Sequence, residues 1–123
     1  MSRYATLVPL GTLTLTAAGT TVSLAVNCGP LAGQVITQNA PLPLPGTPLR
    51  QVILTNATAA TNAFLLPRGM TAAGNPASIL ACIPGGATLA IPYGQPFEGG
   101  ILPENFVLDC SAACVVYGCG ILS

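Results

Sequence analysis

The stretch Gly11-Thr12-Leu13-Thr14-Leu15-Thr16 alternates leucine with threonine, and Thr20-Thr21-Val22-Ser23-Leu24-Ala25-Val26 resumes the alternation after a break at Ala18-Gly19. A period of two sends successive side chains to opposite faces of a pleated strand, so both segments read as half-buried β-strands. Working outward, further strands are expected at 33–38, at 49–55 around Val52-Ile53-Leu54, and at 63–66, 77–83, 87–93, 105–110 and 112–117. That makes nine candidates, at roughly the 8–12-residue spacing of a sandwich or barrel. No segment keeps a 3.6-residue apolar period over three turns, and the wealth of Thr, Val and Ile favours the pleated surface.

The chain has 123 residues, enough for one domain and one core. Residues 1–10 read as an N-terminal arm and 11–123 as the domain. Its expected class is all-β, a two-sheet antiparallel β-sandwich of the jelly-roll type, with an immunoglobulin-like sandwich as the other candidate. Pro41, Pro43, Pro45 and Pro48 withhold ladder donors from 40–48, which reads as an extended surface loop. Segments 69–76 and 94–103 are the other long connections.

Charge is scarce. Arg3, Arg50, Arg68, Glu98, Glu104 and Asp109 make up 5% of the chain and sum to zero, against about 25% charged residues in ordinary globular proteins. A soluble monomer ordinarily carries a charged, patch-free surface with a net charge away from zero, so this surface is expected to be covered by something else. A bilayer is not that cover, because a spanning helix needs about 20 consecutive apolar residues and no such run occurs. The weak apolar stretch after Arg3, broken by Pro9, Gly11 and Thr12, argues against a secretory leader and for an intracellular start. On that reading the sequon Asn56-Ala57-Thr58 is a chance match. Cys28, Cys82, Cys110, Cys114 and Cys119 are odd in number and form no CxxC pair, so unbridged, metal-free thiols in a reducing compartment are expected.

The absence of His and Lys removes the usual bases and activated nucleophiles. Glu98 and Glu104 lie among Gly and Pro and read as solvated loop acids, so no enzymatic activity and no cofactor is expected. Three arginines cannot form the basic face that phosphate binding requires, which excludes nucleic acid. What is left suits contact with protein, since interface cores are likewise depleted of charge. The interface candidates are Tyr4, Leu42, Leu44, Arg50, Arg68 and Phe97, while Tyr93 and Tyr117 are open between core and contact.

This plan, the short arm before it and the stretch Phe97-Glu98-Gly99-Gly100-Ile101-Leu102-Pro103-Glu104-Asn105-Phe106 together resemble the small jelly-roll cement, or decoration, proteins of tailed-bacteriophage capsids. The resemblance implies a structural virion protein, present as a dimer or trimer, that binds the outside of a shell of major capsid protein and bridges its subunits. Its place would be the capsid surface, after synthesis in the host cytoplasm. The alternative from another class is a β-sandwich ligand-binding module, either carbohydrate-binding or at a fibre tip. Six aromatic residues and no Trp supply few rings for sugar stacking.

Overall fold

The computed structural model describes residues 6–26, 49–92 and 100–122. Eight strands make up the fold: β1 (Thr6–Leu15), β2 (Val22–Ser23), β3 (Gln51–Asn56), β4 (Asn62–Pro67), β5 (Ala81–Pro84), β6 (Thr88–Pro92), β7 (Phe106–Cys110) and β8 (Cys114–Leu122). They form two four-stranded antiparallel sheets packed face to face, in the orders β1-β8-β3-β6 (sheet A) and β2-β7-β4-β5 (sheet B). The expected all-β sandwich is therefore the observed architecture.

The pairing is nested. β1 pairs with β8, β2 with β7, β3 with β6 and β4 with β5, so the chain runs out and back as one long hairpin whose tip lies between β4 and β5. Contacts of β3 with β8 and of β4 with β7 roll that hairpin into two layers. The core between the layers follows the alternation. Leu13, Leu15, Val52, Leu54 and Val116 of sheet A meet Ala63, Leu65, Ile83 and Leu108 of sheet B. Each fully buried leucine contributes about 1.5–3 kcal/mol.

β1 begins at Thr6, inside the segment read as an arm, and pairs with β8 along its whole length. The sequence conceals this because the alternation breaks at a bulge. Pro9 opposes Cys119 and Gly11 opposes Gly118, leaving Leu10 as the extra residue and turning it into the core beside Leu13. Gly11 takes a positive φ of 80°, the conformation that such a bulge requires. Opposite it, a Cβ on Gly118 would lie 3.1 Å from Leu10 Cβ, so the leucine occupies the space a side chain at 118 would need.

Three other strand boundaries also differ from expectation. Segment 20–26 keeps only two strand residues, because the Ala25 N–H donates to Ser23 Oγ and the Val26 N–H to the Ser23 carbonyl, both at 3.1 Å. These local bonds curl the chain away from the sheet. Segment 77–83 divides into a single 3-10 turn at Pro76–Ser78 and the strand β5. The last strand starts later and runs farther than 112–117, since Ser111 to Ala113 form the crossing from sheet B to sheet A. The expected strand 33–38 and loop 40–48 lie outside the described residues, as does most of 94–103.

The two ends of the sandwich are unlike. One end carries four short connections, β1–β2, β3–β4, β5–β6 and β7–β8, and the other carries the long ones. Asn56, fully buried, knits the short-turn end. Its side-chain amide donates to the Ile83 carbonyl (3.1 Å) and to Thr61 Oγ1 (3.2 Å), while its Oδ1 accepts the Thr58 N–H (3.1 Å). Gly86 N–H donates to its carbonyl at 2.7 Å, and Thr58 Oγ1 accepts the Val115 N–H at 3.0 Å. An amide so enclosed cannot accept a glycan in the folded protein, so the sequon at 56–58 serves the turn.

Candidate interaction surface

The pleat that sends leucines inward sends a second set of side chains to the outer face of sheet A. On β1 these are Pro9, Thr12 and Thr14; on β8, Val115, Tyr117, Cys119 and Ile121; on β3, Gln51, Ile53 and Thr55; on β6, Thr88 and Ala90. Register aligns them in rows across the sheet. Thr12 opposes Tyr117, which opposes Thr55, which opposes Thr88, and the Thr55 and Thr88 hydroxyls share a hydrogen bond of 2.9 Å. In the next row Pro9, Cys119, Ile53 and Ala90 stand side by side. None of these side chains is charged. Tyr117 is 51% exposed at the middle of the face, matched among the large hydrophobic residues described by Val26 alone.

Sheet B wears its outer face differently. Leu66, Val107 and Asp109 point away from the core, yet all three are buried. The connection between β4 and β5 reaches Asp109, which fastens it. One carboxylate oxygen, Oδ2, accepts the Ala72 N–H at 2.8 Å; Oδ1 accepts Gly19 N–H and Cys110 N–H, each also at 2.8 Å. Burial pushes this carboxyl up, but the three backbone donors together outweigh it and hold its pKa below the ordinary aspartate value. The acid is thus a fixed anion that pins two loops to β7, and its oxygens are already engaged.

The predicted site residues fall apart in this arrangement. Arg50 precedes β3 and Arg68 follows β4, both exposed at the long-connection end, where their backbone N–H groups donate to the carbonyls of Ile121 and Asn105. Neither belongs to the outer face of sheet A. Tyr4, Leu42, Leu44 and Phe97 lie outside the described residues. The residues that do compose the face were missed as a set. Their signal was present in the parity of 51–55 and 114–117: the residues alternating with the core positions there are uncharged.

At the short-turn end, Thr14, Leu15, Thr16, Thr58, Ala113, Cys114 and Val115 line an open, mostly apolar hollow of about 340 Å3. Cys114, which lines it, and Cys110 are both buried. Burial pushes the Cys110 thiol up to about 11, and the neighbouring Cys114 and Asp109 add to the shift. Burial also raises Cys114, against hydrogen bonds to Thr61 and Cys110 that lower it. Among the described residues no three His, Cys, Asp or Glu side chains are grouped so as to hold a metal ion.

No protein-family model matches the chain, and none of the curated proteins does.

Proposed function

We propose that this chain is a structural cement protein of a virus capsid, laid on the outer surface of an assembled shell of major capsid protein and bridging its subunits without chemistry. The observation that carries the reading is the outer face of sheet A, twelve side chains wide and without a charge, set with an exposed tyrosine. Burying charge at an interface is penalised unless each charge finds a partner, and this face has none to pair. Tyrosine suits such a place because it buries a large apolar ring and keeps a polar tip.

In this reading the sandwich is a jelly roll. The nested pairs and the strand orders β1-β8-β3-β6 and β2-β7-β4-β5 support it, since a long hairpin rolled once about its axis yields two interleaved sheets of four. They also fit the resemblance in plan to small decoration proteins of tailed phages. Many symmetry-related copies make a weak face sufficient, because each copy on a lattice is held by several contacts at fixed geometry. Binding only the assembled form shifts the equilibrium toward that form.

The test is to prepare shells lacking this protein, heat them beside complete shells, and add purified protein back. Added protein is expected to bind the shells and restore their heat resistance, and Tyr117→Lys is expected to weaken that binding at least tenfold. Equal survival of stripped shells, or binding to a glycan array in place of shells, overturns the cement reading in favour of the ligand-binding module.

A further inference from the structure

The described strands end in four edges, β1 and β6 in sheet A and β2 and β5 in sheet B. An edge offers a row of N–H and C=O groups to any strand that can pair with it, and proteins blunt it with bulges, prolines, charges or brevity. Three of these edges are blunted. β1 carries Pro9 and the bulge after it, and β2 is two residues long. On β5 the bond from Gly85 N–H to the Thr61 carbonyl sets the alternation, so only Cys82 and Pro84 turn outward, and the proline has no N–H to give. The fourth edge, β6, has five residues, pairs without a register shift and carries neither a charge nor, before its last residue, a proline.

The bonds at the end of β3 fix which way the backbone of β6 points. Asn56 N–H donates to the Ala87 carbonyl at 3.1 Å and Ala57 N–H to the Val115 carbonyl at 2.9 Å, so even-numbered residues of β3 bond toward β6 and odd-numbered ones toward β8. With Leu54 opposite Leu89 and Val52 opposite Ile91, those two β6 residues carry the ladder, and Thr88 and Ala90 turn their N–H and C=O groups to the far side. Among the described residues no strand pairs with that side. Leu89 stands at the same margin, packed against the core yet only half-buried.

We infer that β6 pairs antiparallel with β6 of a second copy of this chain, across a two-fold axis at Ala90. In that register the whole strand overlaps its twin, with Thr88 opposite the partner's Pro92 and Leu89 opposite the partner's Ile91. The Ala90 N–H donates to the carbonyl of the partner's Ala90 and the Thr88 N–H to the carbonyl of the partner's Pro92. Symmetry repeats both bonds, so every outward N–H of β6 finds an acceptor. A second copy is the occupant because the edge complements itself: a two-fold axis sets a strand against its own sequence, where a charge meets its like, and Thr88 to Pro92 carry none. The partner's Ile91 covers the half-exposed Leu89, the two four-stranded sheets become continuous, and the uncharged outer face doubles in extent. One five-residue edge is a small contact beside the roughly 1,000 Å2 of a specific interface, so the dimer is reversible and half-formed at on the order of 100 micromolar. This pairing does not depend on what the outer face of sheet A binds.

The experiment uses the full chain, kept reduced so that no thiol couples two molecules. Sedimentation velocity follows its mass from about 1 micromolar to about 1 millimolar, and amide exchange is read residue by residue by NMR at low and high concentration. The expected result is a dimer that grows with concentration, with the Thr88 and Ala90 amides exchanging at least tenfold more slowly at the high end and the outward Cys82 amide unchanged. Ala90→Pro removes the central donor without touching a bond to β3, and is expected to weaken dimerisation at least about tenfold. A monomer throughout the range overturns the proposal, as does a folded Ala90→Pro that dimerises like wild type. So does a dimer whose Thr88 and Ala90 amides stay fast, which Tyr117→Lys would then trace to the outer face if it abolished that dimer. The wild-type exchange readout stands whether or not Ala90→Pro folds, and shell binding is read separately by the add-back experiment.

Discussion

The two outer faces of the sandwich are made by the same pleat and treated in opposite ways. Beyond sheet B, the outward residues Leu66, Val107 and Asp109 are buried, and the Asp109 carboxylate accepts backbone N–H groups from the β1–β2 and β4–β5 connections and from Cys110. Beyond sheet A, Tyr117 is exposed and Ile53 and Thr55 are half-buried. The difference teaches that, among the described residues, the fold buries the outward side chains of one sheet more fully than those of the other. On the proposed reading, the face left open is the one that a neighbouring protein closes.

Removing the fastener is the strongest way to break this comparison. Asp109→Ala strips three backbone N–H groups of their acceptor, one of the bonds buried and two part-buried, and losses of about 1–3 kcal/mol are typical for a single buried group left unpaired. A destabilisation of about 3 kcal/mol is expected, read as a lower midpoint in urea. Hydrogen exchange should show Gly19 and Ala72 losing protection first, and an unchanged urea midpoint would mean that the overlay holds itself.

Acid sharpens the same contrast with a smaller effect. The folded-state pKa of Asp109 is depressed below its unfolded value of about 3.9, so its contribution is complete above that value and is lost as pH falls through the folded pKa beneath it. Wild type should therefore lose more stability than Asp109→Asn on going from pH 6 to pH 2. Parallel curves for the two proteins in thermal melts across that range would remove the carboxylate from its role.

The bare face should respond least. Ile53→Lys and Tyr117→Lys place a cation in the middle of sheet A, where the side chain reaches water in the isolated protein, and each is expected to change unfolding stability by only about 0.5 kcal/mol. Shell binding, by contrast, should collapse in both. A stability loss above about 2 kcal/mol would show that the face is covered by the chain itself, and the comparison would fail.

Much of this was readable from residues. Leu13, Leu15, Val52 and Leu54 occupy the core positions that alternation assigns them, and the scarcity of charge was visible in the composition before any face could be named. Two kinds of information were hidden. The bulge at Pro9 to Gly11 shifts parity by one residue, so a strand reading as Leu7-Val8-Pro9-Leu10 lost its period and passed for an arm. Asp109 looked like one more scattered acid, since the donors that hold it come from Gly19 and Ala72, far away in sequence. Pairing across such distances leaves no local pattern. Of the interface candidates, the described Arg50 and Arg68 do not stand on that face, which is defined by register: Thr12, Tyr117, Thr55 and Thr88 come into one row from four separate parts of the chain.

The nested pairing also governs how the protein comes to be folded. Loop-closure entropy grows with the logarithm of the enclosed length, so β4 with β5 closes most easily, and every inner pair shortens the loop that the next must close. β8 is the last of the described strands along the chain, yet it lies in the interior of sheet A, between β1 and β3. Sheet A therefore cannot form until β8 has left the ribosome, and its partner β1 must wait unpaired through the synthesis of everything between them. Contacts this distant in sequence place folding among the slow topologies, on the order of milliseconds to seconds. During that delay the threonine and leucine strand that begins the sheet carries a bulge and a proline, features that discourage wrong pairing of a strand edge.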